Sequence, residues 1–246
     1  MDKFEKEFQI RSYECDQDGY LRVVTLMNIL QDAADASATA LGFGFDFCIR
    51  NNVAWVGTNY HVVIKKMPKI HEKIKVLTWP SGENKFMALR DFIILDAKGN
   101  QMILATSQWV LVDAVRKRPI SLAQYLPNYM YINERVLGTE FAKPDSIDHA
   151  EFEKTFQARF DDIDLNRHVN NAIYPLWAAE TLSDEYLHHH IPSEIEISYK
   201  KECLYGEPVV VKAILNGMTS LHTVVNPEQN KELAHLRITW QEKAAS

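Results

Sequence analysis

The sequence predicts an α+β protein in which one arrangement, a strand, a long helix and then an antiparallel sheet, is built twice within 246 residues. Three observations predict it. Apolar residues at helical spacing begin near Leu26 and again near Ile173, each after a short strand-like stretch. Each of these helical patterns is followed by about four strand-like segments. Two local matches tie the halves together. Tyr13 sits against Phe160 at an offset of 147, and Val63-Ile-Lys-Lys-Met-Pro68 sits against Ser198-Tyr-Lys-Lys-Glu-Cys203 at an offset of 135.

In chain order, Phe4 to Ile10 alternates as a first strand. A loop through Asp16, Asp18 and Gly19 follows, and Thr25 reads as the cap of a helix that Gly42 stops. Leu26, Ile29, Leu30, Ala33, Ser37, Ala40 and Leu41 share one face, which turns small after its first turn and so suits close packing on a sheet. Ala54–Lys66, Lys73–Trp79, Lys85–Asp96 and Gln101–Asp113 read as strands, the last two joined across Lys98-Gly99-Asn100. From Pro119 to Asp148 periodicity fades, but Tyr125, Tyr129 and Tyr131 argue for an ordered crossing segment. The second half repeats the pattern: a strand over Phe152–Phe160, a helix over Ile173–Leu187, and strands near Ile195–Lys201, Val209–Leu215, Leu221–Val225 and Leu233–Glu242. The expected division is an N-terminal domain over 1–125, a crossing linker over 126–148 and a C-terminal domain over 149–246.

Composition narrows the function. Hydrophobic residues make up 46%, enough for a substantial core. No apolar run is long enough to span a membrane. A net charge of −6 argues against a nucleic-acid binder. Cys15, Cys48 and Cys203 form neither a disulfide framework nor a metal spacing, and the charged, alternating N-terminal residues do not read as a targeting signal. The expected location is the cytoplasm. Gly42-Phe-Gly44 lacks the third glycine of a dinucleotide fingerprint, and there is no Gly-x-Ser-x-Gly elbow or phosphate loop. His188-His-His190 falls where a helix ends, which suits cations without any metal. Arg116-Lys-Arg118 and Lys200-Lys201 read as solvated clusters or as a docking patch for an acidic partner.

The densest polar stretch is Asp162-Ile-Asp-Leu-Asn-Arg-His-Val-Asn-Asn171. Asn170 or Asn171 suits the cap of the next helix. Alternation in an extended segment would bring Asp164, Asn166 and His168 to one side. At an offset of 147, Asn166 falls on Gly19 and His168 on Leu21; at 135, Glu202 falls on Met67 and Cys203 on Pro68. Polar groups in one half thus face apolar or inert ones in the other. A structural role would be needed in both halves, so the asymmetry points to a site.

These residues resemble a known family. Asp162 to Trp177, read as Asp-Ile-Asp-x-Asn-x-His-Val-Asn-Asn-x-x-Tyr-x-x-Trp, is similar to the signature of acyl-acyl carrier protein thioesterases. So are Tyr199-Lys-Lys-Glu-Cys203, Ile10-Arg-Ser-Tyr-Glu14, Thr25-Leu-Met-Asn28 and Trp109-Val110. The resemblance implies a tandem double hotdog, each half a curved antiparallel sheet wrapped around one long helix. It implies a bacterial member in which the N-terminal half binds the acyl chain and the C-terminal half is catalytic. It implies hydrolysis of fatty acyl-acyl carrier protein to free fatty acid, with Asp164, Asn166, His168, Glu202 and Cys203 forming the site. Arg167 departs from the glutamine usual in plant members. Chemically, Asn166 suits the oxyanion, His168 the leaving thiolate and Glu202 the water, with Cys203 as an alternative nucleophile. Ala33, Ser37 and Ala40 are the expected acyl-chain contacts. No cofactor, metal, nucleic acid or membrane is expected; acyl carrier protein is the expected partner, and monomer and homodimer both stay open. The rival readings are an acyl-CoA thioesterase on the same fold and a non-catalytic acyl-binding sensor.

Overall fold

Alternating aromatic and charged residues make Phe4–Gln9 strand β1, and from it the first unit builds outward. A computed structural model describes residues 2–243 apart from Thr139, Ala142, Lys143, Asp145 and Asp148, and divides into two units, Met1–Thr139 and Glu140–Ser246. In unit 1, β1 is followed by helix α1 (Val23–Ala40), a short helix α2 (Phe45–Asn51), and strands β2 (Val53–Ile64), β3 (Lys73–Glu83), β4 (Met87–Asp96) and β5 (Gln101–Asp113). A one-turn helix α3 (Leu122–Tyr125) follows. The sheet is antiparallel in the order β1-β3-β4-β5-β2. Helix α1 buries Leu26, Met27, Ile29, Leu30, Ala33, Ala34, Ser37 and Ala38.

Two details of α1 differ from the sequence reading. The helix begins at Val23 with Arg22 as its N-cap, so Thr25 lies inside its first turn. Ala40 is exposed because the helix ends there, and Gly42 breaks it with φ +86°. Helix α2 carried no clear periodic signal. It packs Cys48 against Phe43, Val53 and Leu111 in a satellite core.

The crossing stretch is ordered through its tyrosines and polar side chains. Tyr129 packs a tilted ring against Phe43 with centroids 5.4 Å apart, Trp79 donates to the Glu134 carbonyl at 2.9 Å, and Arg135 pairs with buried Asp91 at 3.0 Å. Residues 126–138 therefore pack within unit 1. Asp148, where the linker was expected to end, lies outside the described residues.

Unit 2 contains β6 (Phe152–Gln157), helices α4 (Ile173–Ala179) and α5 (Asp184–His189), and strands β7 (His190–Tyr199), β8 (Pro208–Asn216), β9 (Thr219–Asn226) and β10 (Lys231–Glu242). Its sheet is antiparallel in the order β7-β10-β9-β8-β6. The single helix expected over Ile173–Leu187 is broken in two. The Thr181 hydroxyl donates to the Trp177 carbonyl at 2.8 Å, and Ser183 restarts the chain by accepting the Tyr186 N–H. His188 and His190 each place Nδ1 on a backbone carbonyl four residues earlier, which accounts for the histidine run as a helix end. Among the described residues no helix is long and apolar enough to cross a membrane.

The register of the two units corrects the internal repeat. β1 reads Phe-Glu-Lys-Glu-Phe-Gln and β6 reads Phe-Glu-Lys-Thr-Phe-Gln, and each is an edge strand that pairs with the third strand of its unit in chain order, in the same register. Phe4 matches Phe152, an offset of 148 and not 147. The second offset, 135, stands. The Leu21 N–H donates to the Pro68 carbonyl as the Val169 N–H donates to the Cys203 carbonyl, both at 2.8 Å.

Candidate active site

The polar stretch of unit 2 is a tight turn, not an extended segment. Residues 160–162 form one 3₁₀ turn, and a bridge between Ile163 and Val169 closes the loop. The Asp164 N–H donates to the His168 carbonyl at 2.8 Å and the Arg167 N–H to the Asp164 carbonyl at 3.0 Å. Arg167 takes φ +65°, a left-handed position that the turn requires. The Asp164 carboxylate accepts the N–H groups of Asn166 at 2.8 Å and His168 at 3.3 Å, with the Asn166 amide at 3.4 Å. Convergence of Asp164, Asn166 and His168 thus comes from an Asx turn and not from strand alternation.

Unit 1 builds the same turn. Asp16 accepts the N–H groups of Asp18 and Tyr20, and Gly19 holds φ +77° where Arg167 stands in unit 2. Glu14 accepts the Arg11 N–H as Asp162 accepts the Arg159 N–H. Asp164 is therefore the structural centre of a turn present in both units. The residues peculiar to unit 2 are Asn166 in place of Asp18, His168 in place of Tyr20 and Glu202 in place of Met67.

Two of those residues, His168 and Glu202, meet. His168 Nε2 lies 2.9 Å from a Glu202 carboxylate oxygen, with side-chain exposures of 22% and 47%. Glu202 follows the end of β7, where the chain bends. The Lys200 N–H is held by the Leu233 carbonyl, the Cys203 carbonyl accepts from Val169, and the Lys231 ammonium sits on the Glu202 carbonyl at 2.5 Å. The segment entering α4 is fixed by the Asn170 amide oxygen, which accepts the Ala172 N–H, and by the Tyr199 hydroxyl, which donates to the Asn171 carbonyl at 2.7 Å. Behind the turn, Arg159 grips the buried Asp162 carboxylate through two guanidinium nitrogens. Arg159 and Tyr199 were not singled out as supports in the sequence, although Arg11 at the matching position signalled the first.

Cys203 does not join them. It is fully buried, and its thiol is pushed up to about 12 by burial first and then by the Glu207 carboxylate, to which it donates. Glu207 is itself occupied: burial raises its carboxyl, but hydrogen bonds from the Leu204 N–H, Gln229 and Cys203 outweigh it and hold it below its ordinary range. A nucleophilic Cys203 is thus disfavoured by its surroundings. Glu202 is exposed and Cys203 buried, and both lie beyond the end of β7 at Tyr199, so strand alternation does not set the difference.

The expected acyl contacts lie in unit 1. Ser37 and Ala40 line a cavity of about 300 Å³ between α1, β1 and β3, with Phe4, Thr78 and Trp79 among its walls. Ala33 is fully buried and does not line it.

Comparison with known proteins is consistent across the chain. The family model described as "Acyl-ACP thioesterase N-terminal domain" matches residues 1–128, and that of the "Acyl-ACP thioesterase C-terminal domain" matches 145–242. A chloroplastic palmitoyl-acyl carrier protein thioesterase of Gossypium hirsutum is 30% identical over 215 residues, which cover 81% of this chain and 52% of the relative. The chain spans about half the length of the first such curated relatives. A solved protein of Lactobacillus plantarum, assigned as an oleoyl thioesterase, is 28% identical with a TM-score of 0.89, covering 99% of this chain and 97% of that one. The 12:0-ACP thioesterase of Umbellularia californica, 23% identical with a TM-score of 0.84 and 98% coverage of both chains, shares the fold. The architecture is the tandem double hotdog.

Proposed function

The chain belongs to the acyl-ACP thioesterase family, and from that premise we propose that it hydrolyses the thioester of fatty acyl-acyl carrier protein and releases free fatty acid. The observation that carries this reading is the 2.9 Å contact between His168 and Glu202 beside Asn166, a grouping that unit 1 lacks on an otherwise equivalent turn.

Glu202 takes a proton from water as the water oxygen attacks the thioester carbon. The Asn166 amide donates to the oxyanion so formed, and Asp164 holds the turn that presents that amide. With its own proton on Nδ1, His168 accepts the water-derived proton from Glu202 through Nε2. As the carbon–sulfur bond breaks, the imidazolium hands a proton to the phosphopantetheine thiolate. Asp164, Asn166, His168 and Glu202 are the site; Cys203 packs behind it. Unit 1 supplies acyl-chain contacts through Ser37 and Ala40, and the acyl carrier protein is the partner. Three buried free cysteines fit a reducing cytoplasm.

The test is a panel of acyl-acyl carrier proteins and acyl-CoAs at equal chain lengths, assayed for released acid. Hydrolysis with higher kcat/KM on the carrier protein is expected. Preference for CoA would replace this reading by the acyl-CoA one, and no turnover on either would favour a sensor.

A further inference from the structure

The two loops that carry the site of unit 2 recur in unit 1 with the same backbone hydrogen bonds. The Ala158 N–H donates to the Glu207 carbonyl and the Gly206 N–H to the Ala158 carbonyl, as the Ile10 N–H donates to the Glu72 carbonyl and the His71 N–H to the Ile10 carbonyl. The Glu207 carboxylate accepts the Leu204 N–H at 3.0 Å, as Glu72 accepts the Lys69 N–H at 3.0 Å. The side chains that these loops expose nevertheless differ. Unit 2 exposes Phe160, Leu165, Leu204 and Tyr205, with Leu165 81% and Phe160 79% exposed. Unit 1 has Ser12, Gln17, Lys69 and Ile70 at those places. Tyr13, which stands where unit 2 has Asp161, has its hydroxyl taken by Arg11 at 2.5 Å.

Phe160 and Tyr205 meet edge to face with ring centroids 6.1 Å apart, which joins the two loops into one apolar surface. Leu165 lies between the turn residues Asp164 and Asn166, and Leu204 is two residues past Glu202. The loops that expose these four side chains also hold the His168–Glu202 pair. One large exposed apolar residue is ordinary on a protein surface, whereas several on adjoining loops mark an interaction surface. The charges of the same loops are unbalanced. Arg167, Lys200 and Lys201 are exposed and form no ion pair among the described residues. In unit 1 Gly19 replaces Arg167, Lys65 at the place of Lys200 donates to Gln101, and Lys66 at the place of Lys201 pairs with Glu72 at 3.0 Å. The carboxylates of the unit 2 loops are engaged: Asp162 by Arg159, Asp164 by the turn, Glu202 by His168 and Glu207 by the Leu204 N–H. That leaves Asp161 against three cations.

We propose that this face of unit 2 is the docking surface for the acyl carrier protein, which meets it with an acidic surface that also exposes apolar side chains. The proposal rests on the function proposed above for the identity of the partner and adds where and by what chemistry that partner binds. A thioester on a phosphopantetheine arm reaches His168 and Glu202 only if the protein that bears the arm comes to rest within the arm's reach of them. Phe160, Leu165, Leu204 and Tyr205 supply the apolar centre of the contact. Arg167, Lys200 and Lys201 supply charge opposite to the partner's, which steers it and sets its orientation. On a chain of net charge −6, a surplus of cations beside the site marks where an acidic partner is attracted.

Binding is measured on the full chain by fluorescence anisotropy of a labelled acyl carrier protein whose acyl chain is attached through an amide in place of the thioester. Turnover is compared on acyl-acyl carrier protein and on the same acyl group carried by free pantetheine. Phe160→Ser with Leu165→Gln installs residues that the same backbone carries in unit 1, and Lys200→Glu with Lys201→Glu reverses the charge. Each pair is expected to weaken carrier-protein binding and to lower kcat/KM on acyl-acyl carrier protein about tenfold, with kcat/KM on acyl-pantetheine within about twofold of wild type. Added salt should weaken wild-type binding, and should do so less in the charge-reversed variant. Unchanged carrier-protein binding in either folded variant overturns the proposal. So does a loss of equal size on both substrates, which would place the defect in the catalytic residues. If Phe160→Ser with Leu165→Gln does not fold, Phe160→Ser alone replaces it with the same readout. Self-association is read by sedimentation velocity and membrane binding by co-sedimentation with phosphatidylglycerol vesicles. Loss of either in the variants with carrier-protein binding intact overturns the proposal in favour of a second copy or a membrane. If no thioester is hydrolysed the catalytic reading fails, whereas binding of the amide-linked carrier protein that is lost in both variants still upholds the docking surface.

Discussion

Replacing Glu202 and Cys203 one at a time separates water attack from a covalent acyl-enzyme. A thiol at about 12 is ionised at pH 7 to about one part in 10⁵, against about one part in 10² for an ordinary thiol near 9. Burial and Glu207 thus remove about a thousandfold of nucleophile before any geometry is considered, and full burial of the sulfur removes access as well. Cys203→Ala is expected to keep turnover within a few-fold of wild type and to lose about 1 kcal/mol of stability from the vacated volume. Glu202→Gln keeps the size of the side chain and a contact to His168 Nε2 but cannot take a proton. Losing general base catalysis should cost about 10²–10⁴ in turnover with the melting temperature unchanged. The assay is single-turnover release of free acid from acyl-acyl carrier protein, with intact-protein mass measured during the reaction and thermal melts as the folding control. A folded but inactive Cys203→Ala, or an acyl adduct on Cys203, would refute the reasoning and move the nucleophile to the thiol.

Further expectations follow from the same geometry. Asn166→Ala should lose about 10²–10³ in turnover as an oxyanion donor, checked by steady-state kinetics on folded protein; near wild-type rates would remove it from the site. Asp16→Ala and Asp164→Ala should each cost about 1–2 kcal/mol in urea melts, because both carboxylates hold the same backbone turn, but Asp164→Ala alone should also depress turnover. Ser37→Leu, which fills the unit 1 cavity, should shorten the preferred acyl chain in a product profile, whereas Ala33→Val should mainly destabilise because Ala33 does not line that cavity. Buried His222 is held neutral, its pKa lowered by burial to about 3, so its contribution to stability is present above about pH 6.5 and lost as pH falls towards 3. His222→Phe, which installs the residue found at the matching Phe92, should remove about 3 kcal/mol of the loss between pH 7 and 4.5; parallel curves for both proteins would contradict this.

Much of the fold was legible because its signals are local. Gln101–Asp113 alternates and is bounded by a turn at Gly99, and it is the strand β5 with those bounds. The second helix was not legible as broken, since Thr181 and Ser183 act through a back-bonded hydroxyl and a cap that periodicity does not register. Helix α2 escaped because seven residues carry too few turns for a periodic signal.

That His168 and Glu202 come together was legible in the sequence, but what brings them together was not. Phe4–Gln9 and Phe152–Gln157 agree at five of six positions, and that match sets the offset at 148. An offset one residue short set Asn166 against Gly19 and Asp164 against Gln17. In the true register Asp164 meets Asp16, Arg167 meets Gly19 and His168 meets Tyr20. A carboxylate that repeats with its hydrogen bonds is needed by the turn; an imidazole and a carboxylate that do not repeat, yet stand 2.9 Å apart, are not needed by it. Such a pair is what the proposed hydrolysis would use, since the same backbone forms in unit 1 with Tyr20 and Met67. The same test applied to the sheet interior clears Trp109 and Trp240, which match each other and each donate to a serine hydroxyl. Internal duplication thus supplies, within one chain, the control that separates what the fold requires from what the proposed reaction would require.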